Sequence, residues 1–336
     1  MHSRPDRSAP MSVKHWSFAG LMLTPRCDAA CASCYLACGP ASAGPEMTVA
    51  RGLEIWRQLI EASPHGCRVH LSGGEPFLDW PWLIELCRAA RAQGLGPLQK
   101  VETNASWAVD DGLVRDRVRQ LDEAGMETLG ISADPYHQQY VPIEQPRRLA
   151  RLADELLGER RVQVRWRDWL TQGHDTSEMD EPSRRALHLE YARGGRDRLN
   201  GRAAVLLAPL LPLSPPSRWE GANCREALLR SRHVHIDGDG VVTPGTCAGI
   251  ALGRLSETMS VRQLWDEVAA THAARGVLGT LASAGPAGLM ELGKASGFTP
   301  AEGYASRCHL CWSVRAHFRS KGLFCEELVP ASPYRT

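Results

Sequence analysis

The stretch Phe18-Ala19-Gly20-Leu21-Met22-Leu23, followed by Thr24-Pro25-Arg26-Cys27-Asp28-Ala29-Ala30-Cys31-Ala32-Ser33-Cys34-Tyr35, decides how the chain is read. The apolar run has the length of a buried strand, and the segment after it is a loop. In parallel α/β folds ligands bind at the C-terminal ends of strands, so Cys-x3-Cys-x2-Cys is placed for chemistry here. Three thiolates in one loop suit three irons of a [4Fe–4S] cluster, which leaves the fourth iron open to an exogenous ligand. Zinc is the competing reading, but structural zinc takes four protein ligands. Cys38 is available as a fourth but sits against Gly39-Pro40, and the three-ligand reading also accounts for the next motif.

That motif is Ser72-Gly73-Gly74-Glu75-Pro76, which closes a second strand over Cys67 to Leu71. Two glycines at a strand end let a ligand approach the backbone closely, and Glu75 is suited to hold an ammonium group. Outward from these two motifs, strand-like and helix-like segments alternate. Val49, Leu53, Trp56 and Ile60 form a helical stripe. Asp79 caps the next helix, with Pro81 in its first turn. Strands are predicted at Leu98 to Thr103, Thr128 to Ser132 and Val162 to Trp166, with helices marked by Val114, Val118, Leu121 and by Leu149, Leu152, Leu156. A further helix is predicted near Pro182 to Ala192, and Ala203 to Leu207 is read as a sixth strand. Repeated β-α units over 14–207 predict a parallel sheet, open or curved into a full or partial barrel. Prolines at 209, 212, 215 and 216 then break the pattern. His233 to Asp237 and Val241 to Thr243 flank Gly238-Asp239-Gly240, a hairpin signal. A helix near Val261 to Ala270 and a Gly/Ala-rich stretch from Gly276 to Gly297 follow, so 208–336 reads as a small cysteine-bearing domain.

Composition narrows the function classes. The 336 residues carry 39 basic and 38 acidic side chains, which excludes a polybasic nucleic-acid footprint. No apolar run reaches the 18 or so residues of a membrane span, and Met1 to Ser12 lacks an apolar signal core. The expectation is a cytoplasmic protein without membrane or nucleic-acid partners. Eleven cysteines in that compartment point to metal or redox chemistry. Cys67 and Cys87 fall on apolar faces and read as inert core thiols.

The two motifs together resemble the radical S-adenosylmethionine (SAM) superfamily over residues 14–207. The resemblance implies a partial (β/α)6 barrel, with Cys27, Cys31 and Cys34 holding a [4Fe–4S] cluster whose open iron chelates SAM. It implies that Gly73, Gly74 and Glu75 bind the SAM amino group, and that SAM is cleaved to a 5′-deoxyadenosyl radical that abstracts a substrate hydrogen atom. Thr103-Asn104 resembles a Thr-Asn found at the third strand's end, and Ser132 is a plausible ribose or carboxylate contact. The family's aromatic residue before the third cysteine is replaced by Ser33, with Tyr35 on the other side of Cys34.

Cys308-His309-Leu310-Cys311 is a metal-type spacing, and Cys224 and Cys247 bring the thiolates to four, enough to close a second cluster. Gly201-Arg202-Ala203, Cys224 and the hairpin leading to Cys247 resemble SPASM/twitch extensions, here the single-cluster twitch form. A structural zinc site is the alternative. Cys325 is a candidate hydrogen donor to a substrate radical. Asp134, Tyr136, His137, Arg165, Arg167 and Asp168 follow the fourth and fifth strands and are candidate substrate contacts by position, whereas Trp166 and Trp169 read as packing.

The expected activity is oxidative modification of a peptide or protein, with a flavodoxin- or ferredoxin-type electron donor. The stretch ahead of Phe18 is too short for a peptide-recognition domain, so dehydrogenation or epimerisation of a small polar molecule stays open. A non-catalytic iron–sulfur carrier or zinc scaffold is the reading from another class.

Overall fold

A computed structural model describes residues 13–334. Five strands, β1 (Phe18–Met22), β2 (Arg68–Ser72), β3 (Leu98–Thr103), β4 (Met126–Ile131) and β5 (Val162–Val164), alternate with α1 (Val49–Ala62), α2 (Trp80–Ala92), α3 (Asp111–Glu123) and α4 (Glu144–Leu157). The helix starts follow from their capping residues. Thr48, Asp79 and Asp110 accept from the backbone N–H of Arg51, Trp82 and Leu113, satisfying donors that the first turn leaves unpaired. The expected apolar stripes face the sheet: Leu53 and Trp56, then Val114, Val118 and Leu121, are buried. Cys67 and Cys87 are buried as well.

Beyond β5 come α5 (Arg167–Gln172), α6 (Glu181–Arg193), α7 (Arg202–Leu206) and α8 (Arg225–Leu228). The hairpin strands β6 (His233–Asp237) and β7 (Val241–Pro244) follow, then β8 (Gly253–Arg254), α9 (Val261–Thr271), α10 (Gly276–Lys294) and α11 (Arg307–Ser320). Ala203 to Leu207 is therefore helical rather than a strand. Five apolar residues do not distinguish the two by periodicity, and Gly201 at φ +56° turns the chain into a helix.

The sixth parallel strand is instead β6, which pairs with the far side of β1 in a register that sets Gly20 beside both His70 and His235. The whole forms one open sheet in the order β5-β4-β3-β2-β1-β6-β7-β8, the architecture of a partial barrel, with the β6–β7–β8 meander antiparallel. The hairpin strands, which lie beyond the expected division at 207/208, extend the sheet that begins with β1. Among the described residues no helix is long and apolar enough to cross a membrane.

Candidate functional site

The Gly73-Gly74 pair brings two strand-end loops into contact. The Gly74 N–H donates to the Thr24 carbonyl at 2.6 Å and the Glu75 N–H to the Arg26 carbonyl at 2.8 Å. A Cβ on Gly73 would lie 2.6 Å from the Thr24 oxygen, and one on Gly74 1.8 Å from the Arg26 oxygen. The glycines thus fix the Cys27 loop against the end of β2. A second clamp comes from the segment Gly201-Arg202, where the Arg202 guanidinium donates to the carbonyls of Cys31 (3.0 Å), Ala37 (3.0 Å) and Cys38 (2.8 Å). A Cβ on Gly201 would stand 2.3 Å from the Tyr35 oxygen, so the close approach requires glycine.

The loops border an open cavity of about 450 Å³ lined by Cys27, Cys31, Cys34, Tyr35, Cys38, Gly73, Gly74, Lys100, Glu102, Asn104, Ser132, His137 and Arg165. Its size is that of a small-molecule site. Most residues singled out from the sequence meet here. Asn104 Nδ2 donates to Asp28 Oδ1 at 2.7 Å and to Cys27 Sγ at 3.7 Å. Burial raises the Cys27 thiol pKa. A hydrogen bond with the Cys38 thiol lowers Cys34 to about 6 and raises Cys38.

Glu75 lies behind the two glycines. It is 1% exposed and does not line this cavity. Its Oε1 accepts from the Phe77 N–H at 3.1 Å and the Thr103 hydroxyl at 2.9 Å, and its Oε2 from the Asn104 N–H at 2.6 Å. Burial lifts it to about 7 against the pull of those donors. Glu75 therefore ties the ends of β2 and β3 together, and the cavity wall there is Gly73 and Gly74.

Of the positional candidates, His137 and Arg165 reach the cavity. Asp134 sits fully buried behind them, its Oδ2 2.8 Å from His137 Nδ1 and 3.3 Å from Arg165 Nε. Burial opposes its ionisation, but His137 and Arg165 outweigh it and hold the carboxyl at about 2. Tyr136 is buried against Trp166 and His188, and Arg167 and Asp168 do not line the cavity. Trp166 and Trp169 are core residues. Cys325 is exposed and lines neither this cavity nor its neighbour.

The late cysteines come from three elements: Cys224 at the start of α8, Cys247 after β7, and Cys308 and Cys311 in the first two turns of α11. Burial raises the Cys224 and Cys247 thiols, and Cys308 and Cys311 beside both add to the rise. Arg315, one turn further along α11 and 2% exposed, faces Cys311 and Cys247. It donates to the Ala248 carbonyl at 3.0 Å and to Asn200 Oδ1 at 2.8 Å. Sequence reading missed it, because an arginine inside an unrecognised helix carries no local signal.

Ligand spacing bears on zinc. A tetrahedral zinc–thiolate site with bonds of about 2.3 Å holds its sulfurs about 3.8 Å apart. Among the described residues, only His70, His233 and His235 bring three metal-ligating atoms within 4.8 Å of one another. Neither cysteine set is drawn in that tightly.

No family model matches the chain and no curated protein matches it. Among solved structures it is similar to a histidine-tagged anSMEcpe with bound AdoMet (15% identity, 91% of this chain and 96% of that chain, TM-score 0.48). It is also similar to native anSMEcpe with bound AdoMet and Cp18Cys peptide (16%, 90% and 96%, TM-score 0.45) and to BtrN in complex with AdoMet and 2-DOIA (15%, 77% and 86%, TM-score 0.43). The likeness is distant, and the chemistry below follows from this chain's own residues.

Proposed function

We propose that the chain is a radical SAM enzyme, with Cys27, Cys31 and Cys34 holding a [4Fe–4S] cluster and the cavity beside them holding SAM. The observation that carries this is the convergence of three loop thiols, the Gly73-Gly74 backbone, Asn104 and Ser132 on one cavity at the strand ends. Held there by Cys27, Cys31, Cys34 and the Gly73-Gly74 backbone, cluster and SAM would supply the radical chemistry that removes a substrate hydrogen atom. The protein's part is positional. Arg202 and Gly74 hold the cysteine loop, and Asn104 steadies Cys27 and Asp28.

Cys224, Cys247, Cys308 and Cys311 would hold a second, fully ligated cluster that takes the electron left after hydrogen abstraction, which favours oxidation. A peptide or protein substrate is supported by a second cavity of about 290 Å³ that shares Leu36, Cys38 and Gly73 with the first and extends past Pro45 and Val329. A small polar substrate is the alternative, and a flavodoxin- or ferredoxin-type protein the proposed electron donor. Reconstituted protein, anaerobic with dithionite and SAM, is expected to release 5′-deoxyadenosine. Yields no higher than those of a Cys27→Ala/Cys31→Ala/Cys34→Ala control would reject the reading in favour of an electron carrier or scaffold.

A further inference from the structure

His70, His233 and His235 stand outside the chemistry above, and the sheet register brings them together. His70 on β2 and His235 on β6 are both paired with Gly20 of β1, and His233 lies two residues before His235 on the same face. Gly20 is what makes the grouping possible. A Cβ there would lie 2.4 Å from His70 Nε2 and 2.5 Å from His235 Cδ2, so any side chain would fill the space the rings occupy.

The Nε2 atoms of His70 and His233 are 3.0 Å apart, and all three residues offer donor atoms within 4.8 Å of one another. Two nitrogens bound to one ion at about 2.1 Å stand about 3.0–3.4 Å apart for angles from square to tetrahedral. The outer nitrogen of His70 fits as well. Its Nδ1 is buried without a hydrogen-bond partner, and Glu102 Oε2 lies 3.8 Å from it. A carboxylate behind a ligating imidazole is the usual support of a metal-bound histidine. The trio opens on a cavity of about 290 Å³ whose wall includes Tyr35, Glu102 and Arg165, which also line the cluster cavity.

We propose that His70, His233 and His235 bind a divalent transition-metal ion, zinc by donor chemistry, with an open position facing this cavity. Three neutral imidazoles with a vacant coordination site form a zinc arrangement of the catalytic type. The vacancy would take a carbonyl or carboxylate oxygen of the substrate and hold it beside the radical site.

The test uses tag-free, anaerobically reconstituted protein, whose cluster cysteines are occupied, equilibrated with Co²⁺ and desalted. The expected result is one equivalent of retained cobalt with nitrogen/oxygen ligand-field bands and no intense thiolate charge transfer. His233→Gln is expected to weaken retention at least 10-fold at unchanged iron content, and Glu102→Gln by ~10–100-fold. Absence of retained cobalt, a thiolate-type spectrum, or undiminished retention in His233→Gln would overturn the site. If that variant loses its iron, the wild-type spectrum decides alone. None of these readouts depends on SAM cleavage, so the site and the proposed enzyme activity stand or fall separately.

Discussion

A methyl group at Gly74 would stand 1.8 Å from the backbone oxygen of Arg26, a contact that no rotamer relieves because both atoms belong to main chain. Gly74→Ala is therefore expected to separate the Cys27 loop from β2, at about 1–3 kcal/mol or more. It should also abolish 5′-deoxyadenosine formation, with ~4 iron per chain missing. Iron analysis beside thermal melting checks this, and full iron with wild-type stability would show that the loop is held by other means. Asp134 offers a second case at this scale. Asp134→Asn leaves His137 without its buried counter-charge and Arg165 with Asp197 alone, and is expected to cost about 3–5 kcal/mol. Because the Asp134 carboxyl is held at about 2, below its ordinary 3.8, its stabilisation is complete above pH ~4 and is lost as the pH falls towards 2. Denaturant titrations of both proteins should accordingly differ most near neutrality and converge in acid. The cysteines and glycines of the site were legible from sequence because each has few structural uses in a loop. The contacts of Arg202 and Glu75 were not legible, since the groups they bind are brought near only by the fold.

Helices with capping residues and apolar stripes were readable to within a few residues, and β3 was expected at the residues it occupies. The stretch Gly276 to Gly297 was not readable, for a physical reason. It carries Gly and Pro that disfavour an isolated helix, yet it folds as α10 because eleven of its residues are buried. Its interruption bears on the proposed second site. Gly285 sits at φ +65° before Pro286, and a Cβ there would lie 2.1 Å from the Ala222 oxygen. Beside that contact the Cys224 N–H donates to the Leu281 carbonyl at 2.9 Å. The kink thus seats the segment that presents Cys224. Gly285→Ala is expected to remove the late cluster alone, lowering reconstituted iron from ~8 to ~4 per chain while SAM cleavage persists. Loss of SAM cleavage together with that iron would mean the two sites are coupled through the fold. Arg315 acts on the same site electrostatically. Replacing it with methionine removes a buried positive charge beside Cys311 and Cys247, so the late cluster should become harder to reduce. A redox titration followed by electron paramagnetic resonance reads that shift, and a rise in potential would contradict the placement.

At the scale of the molecule, the composition break after residue 207 resembled a domain boundary because proline-rich connections commonly mark one. The sheet crosses it. β6 pairs with β1 over all five residues of each strand, so everything from β6 onward is attached to the middle of the barrel sheet. A chain cut at residue 207 would leave β1 with its N–H and C=O groups unpaired on one side. It would also delete Arg315's bond to Asn200. Unpaired edges of this kind template aggregation. The fragment 14–207 is therefore expected to be insoluble or to melt without cooperativity, in contrast to a single cooperative transition for the whole chain. The prediction separates two pictures of the protein. A soluble, cooperatively folding fragment that still cleaves SAM would establish an autonomous barrel with an added module. Failure of the fragment, beside retention of ~4 iron by the full chain lacking Cys27, Cys31 and Cys34, would mean that the two cysteine sites are chemically separate but share one sheet. That sharing would fix the distance between them, which is what electron transfer from one to the other requires.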